Sequence, residues 1–399
     1  MPENAEVLRS CGKPTAEALT ALCKQAKLLR AAGDVAADYA PTDSEFRNVL
    51  PLLAASSGPL ETAEELNKSS AVDASDLPAR EDDLVDKGMG AFVQKLGDGL
   101  PVCLNSRVTK IEYPGEGSDR HDVKIYVDGG KRVYRSSTAV VTVSVGVLKR
   151  SVEKRAGAIQ FDPELPQEKQ DAIEHLQMGN MQKVIVPFST DVFGNTKPNS
   201  WLVYEGDLPA EAIAFAHTKN LPVVRVDGKT RLVIAFVIKP IGKNIAIAFF
   251  GGDWAKALEG QCAGKESGSG LASSSGCDKL AIQIARAGLS KMFGGEKDED
   301  GKSAVDKAIL EKQIQVTRWS LDPTSFGAYS VAEPGHWMDH QTLGEPIEAK
   351  EGQRRLFFAG EGTALGIYSG AYPGAYESGL KAAREINEEL LIAKEKKGN

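Results

Sequence analysis

Apolar positions set most of the element boundaries. Between residues 14 and 66, Ala16, Leu19, Leu22, Cys23 and Ala26 recur at helical spacing with Lys and Glu on the opposite face, which predicts helical structure. Residues 67–82 are polar and read as a loop. VCLNSRVTKIEY alternates as a strand does. VKIYV and KRVYR flank Asp128-Gly129-Gly130 and predict a hairpin. TAVVTVSVGVL is a nearly continuous apolar run and predicts a strand buried on both faces. Residues 163–178 start with prolines and continue with helical spacing. VIVPF, RLVIAFVI and AIAFF read as strands, with Pro187 marking an edge or an irregularity. GKESGSGLASSSG reads as a flexible surface insertion. A helix over 278–293, a short strand RLFFAG and a closing helix complete the chain. Strands and helices mix throughout, so the expected class is α/β plus α+β, with a sheet shared by distant parts of the chain.

Composition excludes more than it assigns. At 399 residues and a formal charge of −7, the chain lacks the basic balance of a general nucleic-acid binder. No apolar run is long enough to span a membrane and no signal-peptide core is visible, so the expected location is cytoplasmic. The five cysteines are irregularly spaced and none sits in a C-x-x-C pair. They predict neither a zinc site nor a disulfide framework, and a reducing compartment is the default. His336 and His340 stand four apart after Pro334-Gly335, without an evident Cys or acidic partner. They read as two loop histidines, and no metal site is expected.

The chemistry concentrates in RLFFAGEGTALGIYSGAYPGAYESGLKAAREI, residues 355–386. A buried strand leads through Gly360, Gly362, Gly366, Gly370 and Gly374 into a helix. Backbone with so little side-chain bulk admits a large ligand, and the helix start offers amides to it. Glu361 stands at the ligand edge of the strand. On composition alone, glycines that merely permit tight packing explain the stretch equally well.

FFAGEGT…SGAYPGAYESGLKAA resembles the carboxyl-terminal flavin motif of the amine oxidase family, which includes polyamine oxidases, monoamine oxidases, L-amino acid oxidases and lysine-specific histone demethylases. Further blocks resemble the family in the same order. These are DDLVDKGMGAFVQKL…LNSRVTKIEY, STAVVTVSVGVLKR with Ser144 where proline is common, FDPELPQEKQDAIEHLQMGNMQKVIVPF, and TRWSLDPTSFGAYS with Ala328 where serine is common. The resemblance spans about residues 50 to 390 and implies FAD as cofactor. It implies that Glu361 bonds the ribose or pyrophosphate region, with Gly360 and Gly370 beside it, and that Val108 pairs its backbone with the adenine. Tyr372 would present its amide near the flavin ring. Lys183 would hold a water against flavin N5. Trp319 and Tyr329 would wall the substrate site together with Ala371, which stands where many relatives carry a tyrosine or threonine. Read without the family, Lys183 is a solvated edge lysine, Val108 a plain strand valine, and Trp319 and Tyr329 core aromatics.

A dinucleotide-binding flavoenzyme needs a strand, a G-x-G-x-x-G turn and a helix. The nearest match, Gly268-Ser269-Gly270, lacks the third glycine and lies in the Ser-rich insertion. The chain therefore reads as the family pattern without its front unit, that is, an incomplete FAD-binding Rossmann-like domain. Residues 79–155 and 326–399 would form the FAD-binding segments. Residues 1–78 and 156–325 would form a helical and mixed-sheet substrate domain.

The implied reaction is oxidation of a polyamine or small amine by hydride transfer to flavin N5. It gives an imine, then an aldehyde or ketone, with O2 reduced to hydrogen peroxide. MGNMQK places the chain nearest the polyamine oxidase and histone demethylase branch. A partner that supplies the missing unit, a catalytically silent scaffold, an L-amino acid oxidase and a carotenoid desaturase-like enzyme are the alternatives.

Overall fold

The computed structural model describes residues 56–60, 62–65, 68–70, 84–115, 122–226, 229–265, 270–349, 352–365 and 368–398. The expected helix over 14–66 therefore lies almost wholly outside the described residues; what is described is a π-type turn at Ser56–Leu60 and a non-helical stretch over 62–65. The expected loop over 67–82 is described only at 68–70.

Helix α1 (Gly88–Leu96) buries none of its residues. Strands β1 (Val108–Glu112), β2 (Val123–Val127) and β3 (Arg132–Ser136) follow, and the predicted turn joins β2 to β3. The strand expected from Val102 begins only at Val108. Val102 and Leu104 are 64% and 79% exposed, because alternation without a neighbouring strand does not make a ladder.

The apolar run after the hairpin is not one strand. It divides into β4 (Ala139–Val141) and helix α2 (Val145–Val152). The cause is Ser144, whose Oγ accepts a hydrogen bond from the Val147 amide at 3.2 Å and donates to the Ser325 carbonyl at 2.7 Å. A hydroxyl at that position caps a helix and satisfies one of its orphan amides. Strand β5 (Gln160–Asp162) completes a four-stranded sheet, β3-β2-β1-β5. Helix α3 (Gln167–His175) and strand β6 (Leu176–Met178) lead into the second half.

That half is built on β7 (Met181–Pro187), β8 (Ser200–Asp207), β9 (Val224–Val226), β10 (Lys229–Ile238), β11 (Ile245–Gly251), β12 (Ala272–Ser273) and β13 (Gln315–Val316). The order is β12-β13-β7-β11-β10-β8, with β9 paired to β10. Pro187 ends β7, and β7 is an inner strand. One face carries Val184, Phe236, Phe250 and Ile238. It packs against α4 (Ala210–Lys219), α5 (Gly252–Gly260), α6 (Lys279–Phe293) and α7 (Ala304–Ala308). Burying side chains of this size stabilises by roughly 1.5–3 kcal/mol each. At the end of β11 the turn at Pro59 crosses so closely that a Cβ on Gly251 would lie 1.6 Å from the Pro59 carbonyl oxygen, so only glycine fits there.

Two expectations fail in this half. The Ser-rich insertion is not wholly a loose surface loop: Ala272 and Ser273 pair with β13. Cys262 and Cys277 form a disulfide across the insertion, with Cα atoms 5.2 Å apart. The cysteine spacing could not show this, because the end of α5 and the approach to α6 meet only in the folded chain.

The chain returns through β14 (Ser330–Ala332), α8 (Asp339–Gly344), β15 (Ile347–Glu348), β16 (Arg354–Phe358) and the long α9 (Tyr372–Gly398). β14 pairs antiparallel with β6, and β16 pairs parallel with β4, which joins positions more than two hundred residues apart. Ile111, Val141, Leu148, Ile173, Leu356 and Phe358 share the core beneath these elements. Lys169 locks the end of α8: its Nζ donates to the carbonyls of Thr342, Leu343 and Glu345 at 2.9, 2.9 and 2.7 Å, and lies 4.3 Å from the Phe358 ring centre. No described helix is long and apolar enough to cross a membrane.

Candidate active site

The carboxyl-terminal motif folds as its pattern predicts. β16 runs to Phe358, and Glu361 opens a one-turn helix beyond the strand end. The Glu361 carboxylate accepts from the Ser330 amide at 3.1 and 3.2 Å and from Ser330 Oγ at 2.6 Å. Ser330 follows Tyr329, and a Cβ on Gly370 would lie 3.1 Å from the Tyr329 ring. Gly370 also has φ +65°, a conformation that favours glycine. Ala371 and Tyr372 are half-buried at the start of α9, and the Tyr372 ring meets Phe92 edge-on at 5.5 Å. Tyr329, Glu361, Gly370, Ala371 and Tyr372 thus gather at one end of β16.

The sequence predicts a loop histidine at 340, and the structure differs. His340 lies in α8, fully buried, with Nδ1 2.8 Å from the Gly362 carbonyl oxygen and Nε2 3.3 Å from Ser369 Oγ. It fixes the turn behind Glu361, and neither it nor Ser330 carried a local signal.

On the large sheet, β7 alternates. Gln182, Val184 and Val186 enter the main core, while Met181, Lys183 and Ile185 face the other side. Lys183 is not an edge lysine, since β7 lies between β13 and β11. Its Nζ sits 5.1 Å over the Phe249 ring, and Phe249 lies 5.0 Å from Trp201. Burial pushes the Lys183 ammonium below the usual lysine range. The Lys183 amide donates to Thr317 Oγ1 at 2.7 Å, and the Thr317 amide donates to the Lys183 carbonyl at 3.0 Å.

Two residues on is Trp319, against whose ring Gly270 packs. Beneath Trp319 lies Glu259, fully buried and raised to about 7 by burial, with donation from the Ser320 amide and hydroxyl opposing the shift. Arg318 and Asp278, 1% and 0% exposed, form a buried ion pair at 2.5 Å on the same segment.

A short connection joins the two groups. The Gly179 amide donates to the Tyr329 carbonyl and the Ala328 amide to the Gly179 carbonyl, both at 2.8 Å. Lys183 follows four residues later. Val108 opens β1, pairs with Val127 and packs on the core that also holds Phe358. Its link to the other site residues runs through that core. A hollow of about 200 Å³ lined by Phe358, Thr363, Gly374 and Ser378 borders the Glu361 turn. The 580 Å³ cleft beside Ser151, Phe161 and Gln170 includes none of the predicted site residues.

The arrangement fits part of a flavin cradle. A Cβ on Gly360 would meet only the Thr142 carbonyl oxygen, at 3.9 Å, so the backbone is open there. The Glu361 carboxylate and the first amides of α9 are polar groups suited to a nucleotide. Among the described residues no G-x-G-x-x-G turn follows a strand.

The mixed sheets and covering helices form an α/β flavin oxidase fold. The structure of cyclohexylamine oxidase from Brevibacterium oxydans superposes with a TM-score of 0.52 at 16% identity, covering 89% of this chain and 66% of that one. The model of the flavin containing amine oxidoreductases matches residues 30–387, and the chain belongs to that family. The cofactor that goes with this assignment is FAD.

Two curated relatives from Oryza sativa subsp. japonica mark the branch. Polyamine oxidase 4 is 28% identical over 315 residues, covering 78% of this chain and 50% of that protein. Lysine-specific histone demethylase 1 homolog 3 is 30% identical over 300 residues, covering 75% and 30%. The chain thus spans half or less of the length of these two relatives.

Proposed function

We propose that the chain oxidises a polyamine or small amine with FAD and O2, giving an imine and hydrogen peroxide. The observation that carries this reading is Lys183. A lysine on an inner strand, desolvated and set over the Phe249 ring, is costly unless it is used. FAD held there would supply the hydride acceptor for the carbon beside the amine nitrogen and the route for its electrons to O2. The protein's part is to hold and desolvate. Lys183 keeps a water and a proton at the reacting face. Trp319 and Tyr329 exclude solvent, and Glu361 with the start of α9 fixes the nucleotide. Ala371 leaves the amine without a second facing aromatic, which favours a substrate broader than a slender methylamine.

A partner-dependent form of the same reading is favoured by α1, which buries nothing, and by β4, the outer strand of a parallel pair. Parallel strands are normally covered on both faces. A strand-turn-helix unit carrying the Gly-rich turn would complete them, and without it the oxidase is silent.

The visible spectrum of the chain after incubation with FAD and desalting tests this. Retained flavin that bleaches under nitrogen with spermidine supports a stand-alone enzyme. Retained flavin that no amine bleaches overturns the amine reading. A colourless chain that retains flavin only with an added Gly-rich unit supports the partner-dependent form. In either active form, Lys183→Met should lower the bleaching rate at least 100-fold while leaving the melting temperature unchanged or higher, because a buried charge is removed.

A further inference from the structure

Among the described residues, His175, His336 and Asp339 bring one ligand atom each within 4.8 Å of one another. His175 Nδ1 lies 2.9 Å and His336 Nδ1 3.2 Å from the same atom, Asp339 Oδ2. The two rings stack with centroids 3.7 Å apart and planes 30° apart, and both present Nδ1 to that same carboxylate oxygen. Two ligands about 2.0–2.1 Å from a tetrahedral ion sit roughly 3.3 Å apart, so both observed separations are close to the edge of such a tetrahedron.

The backbone holds all three in place. The Glu333 amide donates to the His175 carbonyl at 3.0 Å, the His336 amide to the Glu333 carbonyl at 3.0 Å, and the Asp339 amide to the His336 carbonyl at 2.9 Å. Ala332 is also paired with Leu176 across β14 and β6. Ligands preset in this way lose little entropy on taking up an ion. The side chains are 36%, 38% and 21% exposed, which leaves an open path for the ion and a fourth position for water. The flavin chemistry uses none of these residues.

We propose that His175, His336 and Asp339 bind a divalent transition cation of the zinc class, with two imidazole nitrogens, one carboxylate oxygen and a water. The ion bridges the end of α3 to the start of α8, and the neighbouring His340 holds the Gly362 carbonyl behind Glu361. The site therefore braces the cofactor-facing turn from outside the reaction. The sequence hides it because His175 is 164 residues from Asp339.

The test is calorimetric titration of the untagged, chelator-treated full chain with zinc chloride, alongside thermal melts. One zinc per chain is expected, with a rise in melting temperature. Both should be lost in His336→Ala and Asp339→Asn and retained in Cys103→Ser. Cobalt(II) in place of zinc should give visible d–d bands without a thiolate charge-transfer band. No uptake would overturn the proposal and leave a carboxylate that simply bonds two rings. So would uptake that survives both ligand variants, or a thiolate band that marks a cysteine site.

Discussion

Helices α1 and α6 show how differently the two halves of the molecule are finished. Helix α6 buries Leu280, Ala281, Ile284, Ala285, Gly288 and Leu289 against the large sheet. Helix α1 is as amphipathic in sequence, yet Met89, Phe92, Val93 and Leu96 are all more than 40% exposed. An apolar stripe states that something must cover it; the fold decides whether that cover lies within the same chain. In the half built on the large sheet the cover is present. In the half that carries α1 it is absent among the described residues.

This contrast can be broken by substitution. The largest effect is expected at Phe236, fully buried under α6: Phe236→Ala should cost roughly 3–5 kcal/mol in denaturant unfolding. Asp278→Asn leaves Arg318 charged and buried without its partner and should cost about 3–5 kcal/mol. If either value fell below 1 kcal/mol, the half built on the large sheet would not be the finished one.

Glu259 sharpens the comparison through pH. Its folded pKa of about 7 lies above the unfolded value of 4.5, so the folded chain holds the extra proton between these limits. The stability this confers is fully present below about pH 4.5 and is lost as pH rises through about 7. Glu259→Gln should therefore stabilise the chain at pH 8 relative to wild type, by up to roughly 3 kcal/mol, and make little difference near pH 4.5. A gain that does not depend on pH would show that Glu259 is not held protonated. The smallest effect belongs to α1. Phe92→Ala should change stability by less than about 0.5 kcal/mol in the chain alone. It should weaken flavin retention measurably once a covering unit is supplied.

Local grammar carried the sequence reading a long way. Asp128-Gly129-Gly130 specified its hairpin, the prolines before Gln167 started α3, and the short strand before Glu361 led into the last helix. The family blocks supplied Lys183, Trp319 and Tyr329, which spacing alone left as edge or core residues, whereas Glu361 was legible from its place at the end of a buried strand. What escaped was tertiary. One hydroxyl, Ser144, turned an apolar run from strand to helix, and no count of valines reveals that. Ala272 and Ser273 became a strand only because β13 was there to accept them. Cys262 with Cys277, and His175 with Asp339, are pairs that the chain path brings together and that periodicity cannot see. His340 looked like a loop residue because its partners, Gly362 and Ser369, come more than twenty positions later.

The pair of hydrogen bonds between Gly179 and the Ala328–Tyr329 backbone has a kinetic meaning. It ties the strand bearing Lys183 to the segment that holds Glu361, so the lysine and the glutamate move as one body. Motion that separates the two must then hinge elsewhere. Amide exchange should find the protons of Gly179 and Ala328 among the slowest in the chain.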